Sequence, residues 1–144
     1  MTTVSAILSA KGTKVSTVRP DSTISAVVRR LKLEGIGALV VTGDDGAVLG
    51  LISERDIVQG LADHGADLER MRVSELMARA VPTCRGSDSI QHLMSEMTRR
   101  RVRHLPVVDG GRLGGIVSIG DVVKNRLEEM EMEVNVLRDY IALR

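Results

Sequence analysis

A chain of 144 residues, 43% apolar and 27% charged, is globular, and long enough for one ordinary domain or for two small units sharing a core. A formal net charge of +1 excludes a general attraction to nucleic acid or to an anionic membrane surface, and Tyr140, the sole aromatic residue, cannot make a platform for stacked bases. Cys84 is the single cysteine, which excludes an intramolecular disulfide and a thiolate metal cluster; no run approaches a membrane span and residues 1–10 carry no signal-peptide pattern, so a cytoplasmic protein is expected.

In chain order, the sequence repeats itself. Val4-Ser5-Ala6-Ile7-Leu8, a short helix or turn, is matched 69 positions on by Val73-Ser74-Glu75-Leu76-Met77. Val15-Ser16-Thr17-Val18, a short strand, answers to Val81-Pro82-Thr83-Cys84, now 66 positions on, so residues 11–14 hold a three-residue insertion. The register of 66 continues through Ile24, Val27, Val28 and Leu31 against Ile90, Leu93, Met94 and Met97. Both sets have the i, i+3, i+4, i+7 spacing of an amphipathic helix. Asp21-Ser22-Thr23 and Ser87-Asp88-Ser89 place cap-type residues just ahead of them.

Residues 36–41 and 102–108 follow as short, nearly continuous apolar strands of the buried kind. Gly43-Asp44-Asp45-Gly46 and Asp109-Gly110-Gly111 then offer the positive-φ residues of tight hairpins. The final strands, residues 48–52 and 113–117, sit 65 apart because the second turn is one residue shorter. A helix begins at or just after Ser53 and Ser118. The first ends near residues 60–65, and residues 62–72 read as a linker. The second runs to the C-terminus, with Val123, Leu127, Met130, Val134, Leu137 and Ile141 spaced 4, 3, 4, 3, 4 as a heptad seam.

The corner between last strand and last helix carries the most specific signal. Gly50-Leu51-Ile52-Ser53-Glu54-Arg55-Asp56 comes back as Gly115-Ile116-Val117-Ser118-Ile119-Gly120-Asp121. A Ser with an acid three residues later is a helix-capping pair, which satisfies orphan backbone N–H groups. It is equally suited to a nucleoside clamp, in which the carboxylate accepts two ribose hydroxyls and the Ser holds its orientation. The residues alone leave both readings open.

In the order and duplication of these motifs, together with Arg103-His104-Leu105-Pro106-Val107-Val108-Asp109, the chain resembles a tandem CBS-domain pair, or Bateman module, up to Arg126. The resemblance implies a mixed α/β (α+β) fold of two β-α-β-β-α repeats packed sheet to sheet about a pseudo-two-fold. Repeat 1 is expected over residues 1–66, repeat 2 over 67–126, and an extended C-terminal helix over 127–144. It further implies a regulatory module without catalysis, binding AMP, ADP, ATP, S-adenosylmethionine or NAD(H) between the sheets. Carried over to this chain, Asp56 and Asp121 hold ribose with Ser53 and Ser118 beside them. Val15, Val81 and Ala38 meet adenine, and Arg103, His104 and Arg55 meet phosphate. Gly37 and Ala38 stand where the second repeat has Arg103 and His104, and Gly120 stands where the first has Arg55, so the two sites are expected to differ.

Other chemistry is thinly represented. His64, His92 and His104 are scattered, and no nucleophile–base pair, P-loop or metal-ligand spacing occurs, so neither an enzyme nor a metal requirement is expected. Arg99, Arg100, Arg101 and Arg103 form either a solvated helix end or a phosphate-attracting cluster. Two alternatives stand beside the sensor: a structural dimeriser built on the last helix, and a nucleic-acid-associated regulator using the arginine cluster, the latter without any helix-turn-helix or zinc-finger pattern. A homodimer is expected from the seam, and a protein target in trans, since no effector domain accompanies the repeats.

Overall fold

The computed structural model describes residues 2–143; Met1 and Arg144, the outermost residues of the expected units, lie outside it. The elements run α1 (Val4–Lys11), β1 (Thr17–Val18), α2 (Ile24–Glu34), β2 (Ala38–Thr42), β3 (Val48–Ser53), α3 (Glu54–His64), a 3-10 helix (Gly65–Arg70), α4 (Val73–Leu76), β4 (Ala78–Arg79), α5 (Ile90–Arg100), β5 (His104–Asp109), β6 (Arg112–Ser118) and α6 (Ile119–Ala142).

Local chemistry accounts for most of these. The Thr23 hydroxyl accepts from the Ala26 N–H to open α2, and the Ser89 hydroxyl from the His92 N–H to open α5. Each helix buries three residues of its expected stripe, Ile24, Val27 and Leu31 in one and Ile90, Leu93 and Met97 in the other, while Val28 and Met94 stay exposed. Hairpin pairing reproduces the offsets seen in sequence: Ala38 faces Ser53 as His104 faces Ser118, and Thr42 faces Val48 as Val108 faces Leu113. Val18 pairs in parallel with Val41, and Cys84 with Val107 in the same way. Gly110 and Gly111, at φ 58° and 77°, supply the two left-handed residues that a two-residue hairpin turn requires.

The two cores exchange their opening helices. Val4, Ile7 and Leu8 of α1 pack with Cys84, Ile90, Leu93, Leu105 and Val117, in the second repeat. Val73 and Met77, at the equivalent place in the second repeat, pack with Val18, Ile24, Leu39 and Ile52, in the first. The exchange is pinned by backbone: Thr3 bridges to Ser89, and Thr23 to Arg72. The glycines that open the two motifs permit it. A Cβ on Gly50 would lie 2.2 Å from the Ala78 carbonyl oxygen of β4, and one on Gly115 would lie 2.8 Å from the Leu8 side chain.

Two clusters therefore form, rather than one common core. The hairpins are also buried on their second face, where Ala38 and Val40 are 6% and 0% exposed and Pro106 is buried, as sheets packed against one another require. Residues 62–72 are not a linker. Helix α3 runs to His64, the 3-10 helix carries on to Arg70, and Leu68 inserts into the first core against Gly60. The apolar anchor Leu68 outweighs the polar composition around it.

Candidate functional site: a cleft between the repeats

Each Ser-x-x-Asp corner forms a complete capping box. Asp56 Oδ2 accepts from the Ser53 backbone N–H at 2.9 Å and from its hydroxyl at 3.1 Å, and the Ser53 hydroxyl accepts from the Asp56 N–H. Asp121 Oδ2 accepts from the Ser118 N–H at 2.9 Å, with the reciprocal bond at 3.2 Å. The backbones are tied in the same manner, Glu54 N–H to the Gly37 carbonyl and Ile119 N–H to the Arg103 carbonyl. Capping is thus a fact of both corners. In both corners Oδ1 takes no hydrogen bond among the described residues, so each carboxylate keeps an open acceptor, and what differs between the corners is what stands beside it.

Asp56 faces a cleft of about 280 Å³ that the exchange creates. Leu51, Ser53, Glu54, Arg55 and Asp56 come to it from the first repeat. Ala78, Val81, Arg101, Val102, Arg103 and His104 come from the second, and Gly37 closes the floor, with His104 Nε2 3.6 Å from the position of its missing Cβ. Six of the expected site residues, Ser53, Arg55, Asp56, Val81, Arg103 and His104, are therefore gathered in one place. The remaining four are not in it. Ser118 and Asp121 form the other corner, Val15 lies half-buried ahead of β1, and Ala38 is buried on β2 opposite Ser53.

The second corner is occupied by the protein itself. Lys11, the last residue of α1, puts its ammonium 2.7 Å from Asp121 Oδ2 and donates to the Ile116 carbonyl at 2.9 Å. Burial raises the Asp121 carboxyl, but the hydrogen bonds from Lys11 and Ser118 and the Lys11 charge outweigh it and hold the group below its ordinary value. The reach comes from the insertion at residues 11–14. Helix α1 has eight residues where α4 has four, and it stops at Gly12, whose φ of 101° suits glycine. The α4 copy turns into strand β4 instead, and leaves the Asp56 corner open.

The arginine cluster divides. Arg99 and Arg100 pair with Glu96 at 2.6 and 2.9 Å on the exposed helix face, while Arg101 and Arg103 line the cleft. Arg101 ends α5 in the left-handed conformation, φ 55° and ψ 41°, at the place where Gly35 ends α2 at φ 64°. An arginine there costs about 1 kcal/mol relative to glycine. His104 is half-buried, and burial pushes its imidazole below the ordinary value; Glu54 and Asp121 pull the other way, and Lys11 and Arg103 add to the depression. His64 and His92 lie outside the cleft, and burial with the charges of Asp88 and Asp109 pushes the Cys84 thiol up to about 12, where it is inert.

Lys11 and Glu54 were not singled out by sequence as site residues, and Arg101 was raised only as a member of the arginine cluster. The three-residue insertion was the available signal for Lys11, and the replacement of a helix-ending glycine by Arg101 was the signal for that residue.

Comparisons with known proteins bear on the family and the fold. Residues 4–63 and 73–128 each match the CBS domain. The chain is 30% identical over 148 aligned residues, 97% of its length and 72% of the relative's, to the mitochondrial CBS domain-containing protein CBSX3 of Arabidopsis thaliana. It superposes with a TM-score of 0.84 on the crystal structure of the CBS-domain containing protein ATU1752 from Agrobacterium tumefaciens, at 45% identity over 86% of this chain and 92% of that one. A TM-score of 0.79 relates it to the CBS domain pair of protein MJ0100 in complex with 5′-methylthioadenosine and S-adenosyl-L-methionine, at 25% identity over 90% and 98%. Two repeats that trade their first helices, each matching one domain profile, make this chain a tandem pair of the CBS-domain family.

Proposed function

We propose that the protein is a non-catalytic regulatory module that binds one adenosine-containing ligand per chain, in the Asp56 cleft. The observation that carries this is the meeting of a carboxylate with one oxygen open and the basic groups of the other repeat across a single cleft. Asp56, steadied by Ser53, takes the ribose hydroxyls; the strand around Val81 takes the adenine edge; Arg55, Arg101, Arg103 and His104 meet the phosphates. Bound 5′-methylthioadenosine and S-adenosyl-L-methionine in the MJ0100 pair support the adenosine class. Three arginines at the cleft favour AMP, ADP or ATP over an uncharged or cationic ligand. A volume of about 280 Å³ lies at the small end for ligand sites and favours a mononucleotide over NAD(H). Asp121, Ser118, Val15 and Ala38 belong to a second clamp that Lys11 keeps shut.

Binding changes how the module meets a protein target in trans, and the chain works as a homodimer in the cytoplasm. No helix among the described residues is long and apolar enough to cross a membrane. The nucleic-acid alternative is disfavoured because Arg99 and Arg100 are spent on Glu96. Thermal denaturation with AMP, ADP, ATP, S-adenosylmethionine, NAD+ and NADH tests the reading. The preferred nucleotide at a hundredfold excess over its dissociation constant should add about 2.7 kcal/mol. A melting transition that none of the six moves sinks it.

A further inference from the structure

Helix α6 runs on past the module that carries it. Its first turns are held: Val122 is buried, the Thr2 hydroxyl donates to Glu129, and Arg126 Nη1 lies 3.3 Å from Glu129 Oε2. From 130 to 143 every residue is exposed. The stripe Val123, Leu127, Met130, Val134, Leu137 and Ile141 stays 47–61% exposed along its whole length. At about 100° per residue its centre lies roughly 110° around the helix from the side that meets the module. The chain does not fold back to cover it.

We propose that the same stripe of a second copy covers it, in a parallel, in-register, two-stranded coiled coil. This deepens the homodimer reading above and is independent of the ligand. The spacing of 4, 3, 4, 3, 4 assigns Leu127, Val134 and Ile141 to heptad position a, and Val123, Met130 and Leu137 to d. β-Branched residues at two of the three a positions, with Leu137 at d between them, favour two parallel strands.

Charge selects the same arrangement. Arg126, Glu133 and Tyr140 fall at g, and Lys124, Glu131 and Arg138 at e. In a parallel pair each g residue faces the e residue five positions on in the other helix. Arg126 then faces the partner's Glu131, and Glu133 faces the partner's Arg138: opposite signs at every such contact within the seam. In an antiparallel pair of equal overlap, e faces e and g faces g. Lys124 then meets the partner's Arg138, and Glu131 and Glu133 each meet their own copies, all like charges, while Arg126 meets the uncharged Tyr140. Among the described residues Glu131, Glu133 and Arg138 make no ion pair, and Arg126 need only turn from Glu129.

The test combines mass with orientation on the full-length chain. Light scattering should give the wild type as a dimer of the 15.6 kDa chain at micromolar concentration. Leu137→Glu, a charge on an exposed position that the monomer tolerates, should raise the dissociation constant at least about a hundredfold. Glu133→Arg and Arg138→Glu should each raise it roughly tenfold, and the double variant should restore it. Ile141→Cys should form a disulfide-linked dimer under mild oxidation, which buried Cys84 does not confound. A monomeric wild type overturns both the homodimer and the coil. A wild-type dimer that Leu137→Glu leaves intact overturns the coil alone. Cross-linking of Ile141→Cys only to Val123→Cys overturns the parallel orientation.

Discussion

Asp56 and Asp121 stand at the same step of the same motif, and in each the Oδ2 atom takes the backbone N–H of its own cap serine at 2.9 Å. Around them the molecule diverges. Asp56 looks across an open cleft at Arg101, Arg103 and His104, whereas Asp121 has Lys11 lodged against it at 2.7 Å. A duplicated motif thus supplies two equivalent corners, and the segments that the other repeat sends to them decide their chemistry. The shorter α4 hands its corner a strand and leaves the carboxylate free; the longer α1 hands its corner a cation. The closed corner receives its cation from the end of the longer α1, at the insertion.

The most forceful way to break this comparison is the pair Asp56→Asn and Asp121→Asn. An amide keeps the shape of the cap but offers a single acceptor oxygen. Asp56→Asn should weaken nucleotide binding by about two orders of magnitude, near 3 kcal/mol, while Asp121→Asn leaves it within twofold. Equal losses in titration calorimetry would show that both corners bind. Lys11→Ala sharpens the same contrast. Stability should fall by no more than about 1 kcal/mol, the worth of a partly exposed ion pair, and the calorimetric stoichiometry should rise from one towards two. An unchanged stoichiometry means that Lys11 is not what closes the second corner.

Acidification gives a smaller effect with a definite sign. His104 has a folded value below the ordinary 6.5, so between the two the unfolded chain binds the extra proton. Stability should therefore fall as pH drops from about 6.5, and His104→Gln should remove that slope. A phosphate against the imidazole reverses the preference, so nucleotide affinity should rise several-fold over the same interval. Affinity independent of pH would move the phosphate away from His104. The smallest effect is expected at Arg101→Gly. Relief of the left-handed arginine should stabilise the fold by about 0.5–1 kcal/mol, while nucleotide binding weakens by a few-fold. A variant that gains stability without losing affinity would make Arg101 a bystander.

Much of the fold was legible because it is encoded locally. Thr23 and Ser89 cap helices whose stripes repeat at 3.6 residues, Gly110 and Gly111 fit a tight turn, and an offset of 66 carries the pairing of Val18 with Val41 onto Cys84 with Val107. The candidate site was legible in parts for the same reason. Ser53 with Asp56, and Ser118 with Asp121, mark their corners whatever surrounds them.

What faces each corner was decided only in three dimensions. Val4, Ile7 and Leu8 carry the same pattern as Val73, Leu76 and Met77, so either set could cover either core; that each covers the other repeat's is settled by packing, through the close approach at Gly50 and Gly115. Periodicity records which face of a segment is apolar and is silent about which sheet it meets. Leu68 turned residues 62–72 from a linker into core, and the exchange brought Lys11 to Asp121 across 110 positions of sequence. The sequence by itself determined the duplication, the caps and the turns, which depend on neighbours along the chain. The tertiary structure decided that one carboxylate faces an open cleft and the other a lysine, because that depends on which distant segment fills the space beside it.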